Sequence, residues 1–287
     1  MNADPLHLKL QGLWVGAALG ELHAKGQLDE LPPAGERDLT VREALPRTYR
    51  LCLLTARWLK GPGDIDADLW HCTRWQDSLL NVLPLTFMYP AIAESERSAN
   101  VQPQAASRIL AVIRTLEWLQ RAEPPEYLLS YLLQTPGLQE TALAEQLGAV
   151  YRQLSDRSGI PPQISRDSSA LEANPDFAIA QVLYLLLSAP EDFRLTLQRS
   201  ALALPHQPDL QILLAALSGF HNGFSNLPAP WRWTLKTLQW SVATPLEDGL
   251  QTLGNLCAAR WAGCHTPSPD RDWSVVAVSP PGQLRPR

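Results

Sequence analysis

The hydrophobic and polar positions of the chain repeat with the spacing of α-helices over most of its length. Residues 8–24 are apolar or small on every side, which is typical of a buried helix. Residues 102–122 and 140–159 place apolar side chains on one face only, which predicts two amphipathic helices. One strand-like run, Trp273 to Val278, stands apart near the end.

The same reasoning predicts helices over 44–61, 175–190 and 190–204, a further small-residue helix that follows a polar turn within 200–233, and one or two more from 230 to 263. Prolines at 84 and 90 are expected to interrupt the apolar segment 77–95. Polar, proline-bearing stretches at 26–44 and 160–176 predict loops. We therefore expect an all-α fold, a single compact multi-helix domain over residues 1–265, followed by a loose proline-rich tail, 266–287.

Three glycines in the first predicted helix are spaced by four residues. Gly12, Gly16 and Gly20 fall on roughly one helical face. A face without side chains lets another backbone approach closely, so we expect a second helix to cross there.

Composition excludes several classes of protein. Lys and Arg total 24 against 29 for Asp and Glu, a net charge of −5, and no basic cluster is present, which argues against nucleic-acid binding. The longest apolar runs are far shorter than the ~20 residues that span a bilayer. No basic and apolar leader precedes the first helix. We expect a soluble cytoplasmic protein that binds neither nucleic acid nor membrane.

The four cysteines lack metal-binding or redox spacing. No two of them form a Cys-x-x-Cys pair, so buried, reduced thiols are the expectation. A metal pair formed by Cys257 and Cys264 with His265 is the alternative, but no further nearby ligand completes a tetrahedral set.

Five stretches, taken in order, resemble the ADP-ribosylglycohydrolase family of all-α, dinuclear-magnesium hydrolases that remove ADP-ribose from proteins. Residues 12–22, GLWVGAALGEL, are similar to that family's opening helix, G-x-x-x-G-x-A-x-G-D. Residues 200–233 are similar to its G-D-T-D-T motif with the glycine-rich helix and Ile-Pro exit that follow. The other three stretches are SLLNVLPLTFMY (78–89), SANVQPQAA (98–106) and FAIAQVLYLLLSAPEDFRLTLQRSALAL (177–204).

The chain departs from the family at the residues that would bind metal. Glu21 takes the place of the acid that ends the first helix. In the turn that matches Thr-Asp-Asp-Thr, Pro46 and Arg47 replace both aspartates and Thr48 keeps the trailing threonine. In the turn that matches Asp-Thr-Asp-Thr, residues 206–209 read His-Gln-Pro-Asp, so that Asp209 falls on the second threonine. Asn100 and Val101 stand where the family has Thr-His.

These substitutions predict that the two Mg²⁺ ions of the family are not bound. Mg²⁺ needs hard oxygen ligands in near-octahedral geometry. Arg47 would add a fixed positive charge, and unit charges ~4 Å apart repel by about 4 kcal/mol at an effective dielectric of 20. We therefore expect no metal and no cofactor.

Each candidate residue also has a simpler interpretation. Glu21 is either a vestigial ligand or a solvated acid at a helix end, and Asp209 is either a helix N-cap or a ligand contact. Arg47 either holds a phosphate, with Arg50, or is solvated or paired with a carboxylate. The remaining cleft candidates, which could equally be loop or packing residues, are Thr48, His206, His221 and Asn222.

Three hypotheses follow from the sequence. The first is a non-catalytic ADP-ribosylglycohydrolase-like protein that binds a partner protein or an ADP-ribose-like ligand. The second is an active hydrolase of ADP-ribosyl groups on proteins with an altered metal centre. The third is an unrelated all-α scaffold. Motif losses favour the first, and a wide separation of Thr48 from Asp209 would contradict both family hypotheses.

Overall fold

The structure, a computed structural model, is helical throughout the residues that it describes. These are 5–28, 44–60, 75–88, 103–155, 171, 173–236, 238–241 and 244–262. Within these ranges two one-turn 3₁₀ segments, Pro125–Tyr127 and Phe224–Asn226, and two short antiparallel strands, Gln239–Ser241 and Thr244–Pro245, connect some of the helices. The same ranges contain eleven α-helices: α1 Leu6–Ala24, α2 Pro46–Lys60, α3 Trp75–Met88, α4 Pro103–Gln120, α5 Leu128–Gln134, α6 Ala142–Ser155, α7 Pro175–Ser188, α8 Phe193–Ala203, α9 Pro208–Asn222, α10 Ala229–Lys236 and α11 Leu246–Trp261.

Helix α1 is the centre of the molecule. Every residue from Lys9 to Leu22 is buried, as the all-round apolar pattern predicted. Helices α9 and α11 pack against it from different directions, and the other helices surround these three. The central position of α1 brings its C-terminal end, which carries Glu21, against the starts of α2 and α9.

The contact between α1 and α9 depends on glycine, and the predicted close approach is confirmed. A Cβ atom added to Gly12 would overlap the carbonyl oxygen of Gly219, and one added to Gly219 would overlap that of Gly12. Gly16 lies against the backbone of Ala215 in the same way. The two helices therefore touch backbone to backbone, which holds the first turn of α9 in a fixed position relative to Glu21.

The apolar segment around Pro84 differs from the prediction. Helix α3 continues through Pro84 instead of being interrupted there. A proline inside a helix removes one hydrogen bond and strains the preceding turn, but Leu83 and Phe87 on either side of Pro84 are fully buried. Burial of these large apolar side chains offsets the local cost.

The start of α9 differs from the starts of α7 and α8. Asn174 and Asp192 cap those two helices, accepting hydrogen bonds from the amides of Phe177 and Leu195. At α9 the N-cap residue is Gln207, whose side chain makes no capping bond. Asp209 already lies inside the helix, so the interpretation of Asp209 as the N-cap is wrong, and its carboxylate serves another contact.

Candidate functional site

Glu21 caps the N-terminus of α2 from a distance of 26 residues along the chain. Its Oε1 accepts a hydrogen bond from the amide of Arg47 at 3.1 Å and its Oε2 accepts one from the amide of Thr48 at 2.8 Å. Its side chain is completely buried. The expectation of a solvated acid at the helix end is therefore wrong: both carboxylate oxygens satisfy amides that the first turn of α2 leaves without helical partners.

Lys25 binds the same carboxylate from one helical turn further along α1. Its Nζ lies 3.7 Å from Oε1 of Glu21 and donates a hydrogen bond of 2.6 Å to the carbonyl oxygen of Ala44. The lysine thus joins the end of α1 to the residues just before α2. Sequence reasoning did not select Lys25, although its i,i+4 spacing from Glu21 is the usual signal of an ion pair on a helix.

Arg47 and Asp209 form an ion pair between the first turns of α2 and α9. The Nε–H of Arg47 donates to Oδ1 of Asp209 at 2.5 Å. Asp209 is 2% exposed, whereas the side chain of Arg47 is 33% exposed. Of the alternatives for Arg47, the arginine paired with a carboxylate is confirmed. Asp209 also lies in the first turn of α9, where the helix dipole favours a negative charge.

Thr48 follows Arg47 in the first turn of α2 and is fully buried. Among the residues that the structure describes, its Oγ1 has no hydrogen-bond partner, which is uncommon for a buried hydroxyl. Because Thr48 and Arg47 are neighbours, the contact of Arg47 with Asp209 also brings Thr48 close to the start of α9. The condition that would have contradicted the family hypotheses, a wide separation of Thr48 from Asp209, is not met.

The site contains two ion pairs, Lys25 with Glu21 and Arg47 with Asp209, which we call the charge network. Two carboxylates, Glu21 and Asp209, lie inside, and two cations, Lys25 and Arg47, lie partly at the surface, so the formal charges balance. Each carboxylate is already engaged by a cation, and Glu21 by two amides as well. The arrangement fixes two helix starts against the end of α1.

His206 lies in the turn that leads into α9. It is exposed, and its backbone has a φ of 60°, in the left-handed region that residues other than glycine adopt infrequently. The turn is bounded by buried residues, Leu204 and Gln207, which hold it in this conformation. His206 is therefore three residues from Asp209 in sequence but exposed to solvent, whereas Asp209 is buried.

His221 and Asn222 lie at the opposite end of α9 and do not line this site. Twelve residues separate Asp209 from His221, which in a helix is about 18 Å. His221 contacts Glu191 at 3.4 Å, and Asn222 donates to the carbonyl oxygen of Pro190 at 2.9 Å. Burial lowers the pKa of His221, against a smaller opposing effect of Glu191. The structure therefore does not bring His221 and Asn222 together with Asp209, because the rise of the helix separates the two ends of α9.

The network does not fit a pair of Mg²⁺ ions. Both oxygens of Glu21 accept backbone N–H groups, and Asp209 is bound by a guanidinium that carries its own positive charge. Within the described ranges no three His, Cys, Asp or Glu side chains are grouped so that they could hold a metal ion. A divalent cation here would have to displace Arg47 and free Glu21 from its helix.

Several predicted features lie outside the described residues. These are the Asn100–Val101 segment, Cys72, Cys264 with His265, and the tail 266–287. Of the cysteines that the structure describes, Cys52 and Cys257 are buried and free. None of the helices in the described part combines the length and apolar character needed to cross a bilayer.

Comparisons of the chain with protein-family models, curated proteins and solved structures gave no match. The family resemblance therefore stays a prediction from the order and spacing of the sequence motifs.

Proposed function

We propose that this protein is a non-catalytic relative of the ADP-ribosylglycohydrolases, a binding protein that keeps an all-α scaffold and has replaced the metal centre with internal ion pairs. In this proposal Arg47 supplies the positive charge that metal ions supply in the family. The protein acts by binding a partner protein or an ADP-ribose-like ligand, and it does not hydrolyse ADP-ribosyl bonds.

The observation that supports the proposal is the contact between Arg47 and Asp209. These residues are 162 positions apart and correspond to two separate metal-binding motifs of the family, yet their side chains meet. In an unrelated scaffold, a contact between these two motif positions would be a coincidence. The same contact argues against catalysis by a metal centre, because the guanidinium lies against the carboxylate that would have to bind the ion.

Glu21 supports the same proposal independently. A metal-binding carboxylate needs free oxygen lone pairs toward the ion, whereas both oxygens of Glu21 hold the first turn of α2. The acid at the end of α1 has thus become part of the scaffold. A replacement of this kind stabilises the fold in the absence of metal and removes a ligand that hydrolysis would require.

Two measurements on the full chain test the proposal. Incubation with an arginine-ADP-ribosylated protein and Mg²⁺ is expected to release no ADP-ribose above the uncatalysed rate. Calorimetric titration with ADP-ribose is expected to give the same affinity with and without Mg²⁺. Metal-dependent turnover, or binding of ADP-ribose that requires Mg²⁺, would contradict the proposal and favour an active hydrolase with an altered centre.

A further inference from the structure

We infer that Lys25 and Arg47 form a binding site for a phosphate group, which they contact directly and without a metal ion. The inference rests on the proposed function, since it names the ligand chemistry of the same site. It adds Lys25, which no sequence motif selected, and it assigns an anion to a site whose family counterpart holds cations.

One carboxylate oxygen links the ammonium group of Lys25 to the backbone of Arg47, whose guanidinium binds Asp209. Oε1 of Glu21 lies 3.7 Å from the Nζ of Lys25 and accepts the amide of Arg47 at 3.1 Å. Lys25 also donates to Ala44, three residues before Arg47. The ammonium group is thus fixed beside the first turn of α2, where Arg47 begins its side chain.

The charges are arranged with the acids inside and the bases outside. Glu21 and Asp209 are 0% and 2% exposed, whereas the side chains of Lys25 and Arg47 are 29% and 33% exposed. A ligand that approaches from the solvent meets the cations first. The buried carboxylates hold both cationic side chains in place before a ligand binds. Because these side chains are already ordered, binding costs less conformational entropy.

Both side chains retain donors for a ligand. A guanidinium has five N–H groups, and in the described part of the chain the side chain of Arg47 makes one protein hydrogen bond, through Nε. An ammonium has three, of which Lys25 uses one on Ala44 while another faces Glu21. Guanidinium and ammonium groups together suit the three oxygens of a phosphate, to which they make short, charge-assisted hydrogen bonds.

The inference is tested by titrating the full chain with inorganic phosphate at constant ionic strength, followed by amide NMR shifts and calorimetry. We expect the largest shifts at the amides of residues 45–48. Arg47→Gln and Lys25→Gln should each weaken phosphate binding about tenfold, since each removes a charge-assisted contact. Arg152→Gln, an exposed arginine on α6, is the matched control and should leave the affinity unchanged.

Lys25→Gln leaves the contact of Arg47 with Asp209 in place, so it remains informative if Arg47→Gln does not fold. Absence of phosphate binding, or equal weakening by the Arg152→Gln control, would overturn the inference and leave the proposed function intact. Phosphate binding that appears only with Mg²⁺ would overturn both. An unchanged affinity in Lys25→Gln would also overturn the site as stated.

Discussion

Arg47 and Asp209 show how a partly exposed cation can neutralise a buried carboxylate. Asp209 is almost inaccessible to water, and an unpaired carboxylate in such a place is costly. Arg47 neutralises it from the adjacent helix start and keeps contact with solvent. The pair therefore joins the start of α2 to the start of α9 through charge.

Replacing Arg47 with Met should destabilise the protein by leaving Asp209 buried beside an apolar side chain. Because Arg47 is partly exposed, we expect a loss of about 2 kcal/mol, below the usual cost of breaking a fully buried pair. Urea unfolding measures the loss. Adding Asp209→Asn to Arg47→Met should recover part of it, and strictly additive effects in this double-mutant cycle would contradict the ion pair.

Glu21→Gln tests the capping of α2 by a residue from α1. The variant keeps the shape of the side chain but replaces one acceptor oxygen with an N–H₂ group, which cannot accept the amide of Arg47 or Thr48. One amide then loses its partner, and we expect a loss of about 1–3 kcal/mol in the free energy of unfolding. The stability of the variant is compared with that of wild type. Gln181→Glu is not a suitable control, because it would bury a new charge. Unchanged stability would show that Glu21 does not cap α2.

The roles of single residues were only partly predictable. The sequence selects Glu21, Arg47 and Asp209 as candidates by their places in the stretches that resemble the family. It does not identify their contacts, because the partner of each lies far away along the chain. Local spacing suggested a cap for Asp209, because the sequence does not reveal an arginine 162 residues earlier. The helical rise alone separates His221 and Asn222 from Asp209, and this much is readable from the sequence.

At the scale of elements, the packing of α1 on α9 decides where the site residues lie. The glycines of α1 and Gly219 of α9 allow the two backbones to touch, and this sets the distance between the end of α1 and the first turn of α9. The four-residue spacing of these glycines predicted the crossing, because a helical face without side chains lets a second backbone approach closely. The path of α3 through Pro84 could not be predicted in the same way, since it depends on burial by neighbouring helices.

Gly219→Ala should be strongly destabilising because its Cβ would overlap the backbone of α1. We expect a loss of about 3 kcal/mol or more, measured by thermal or urea unfolding. Gly148→Ala is the matched control: it lies in α6, where an added Cβ meets nothing within 4 Å. That control should gain about 0.5–1 kcal/mol from helix propensity. A Gly219→Ala variant as stable as wild type would contradict the close crossing.

At the scale of the whole molecule, the buried thiols predict how stability changes in alkaline solution. Burial raises the pKa of the Cys257 thiol from 9.0 to about 12, and it raises the pKa of Cys52 as well, with smaller effects from Cys257 and Glu21. In the unfolded chain the thiols ionise at their ordinary pKa. Their contribution to stability is therefore complete below about pH 9 and is lost as the pH rises toward 12.

In that window each thiol should lower the free energy of unfolding by about 1.4 kcal/mol per pH unit. Urea unfolding of wild type and Cys257→Ala across the alkaline range isolates this contribution from those of other groups. The variant should lose stability less steeply than wild type. Equal slopes for the two proteins would mean that Cys257 ionises as readily when folded as when unfolded.

The fold class and the helix order follow from patterns that are local in the sequence, whereas the charge network depends on how α1, α2 and α9 meet. That network is the central claim, and a melting curve in the presence of Mg²⁺ tests it most directly. A ligand that binds only the folded protein at a hundredfold excess over its Kd stabilises it by about 2.7 kcal/mol. With ionic strength held constant, we predict no rise in Tm at submillimolar Mg²⁺. A saturable rise that Asp209→Asn abolishes would contradict the account.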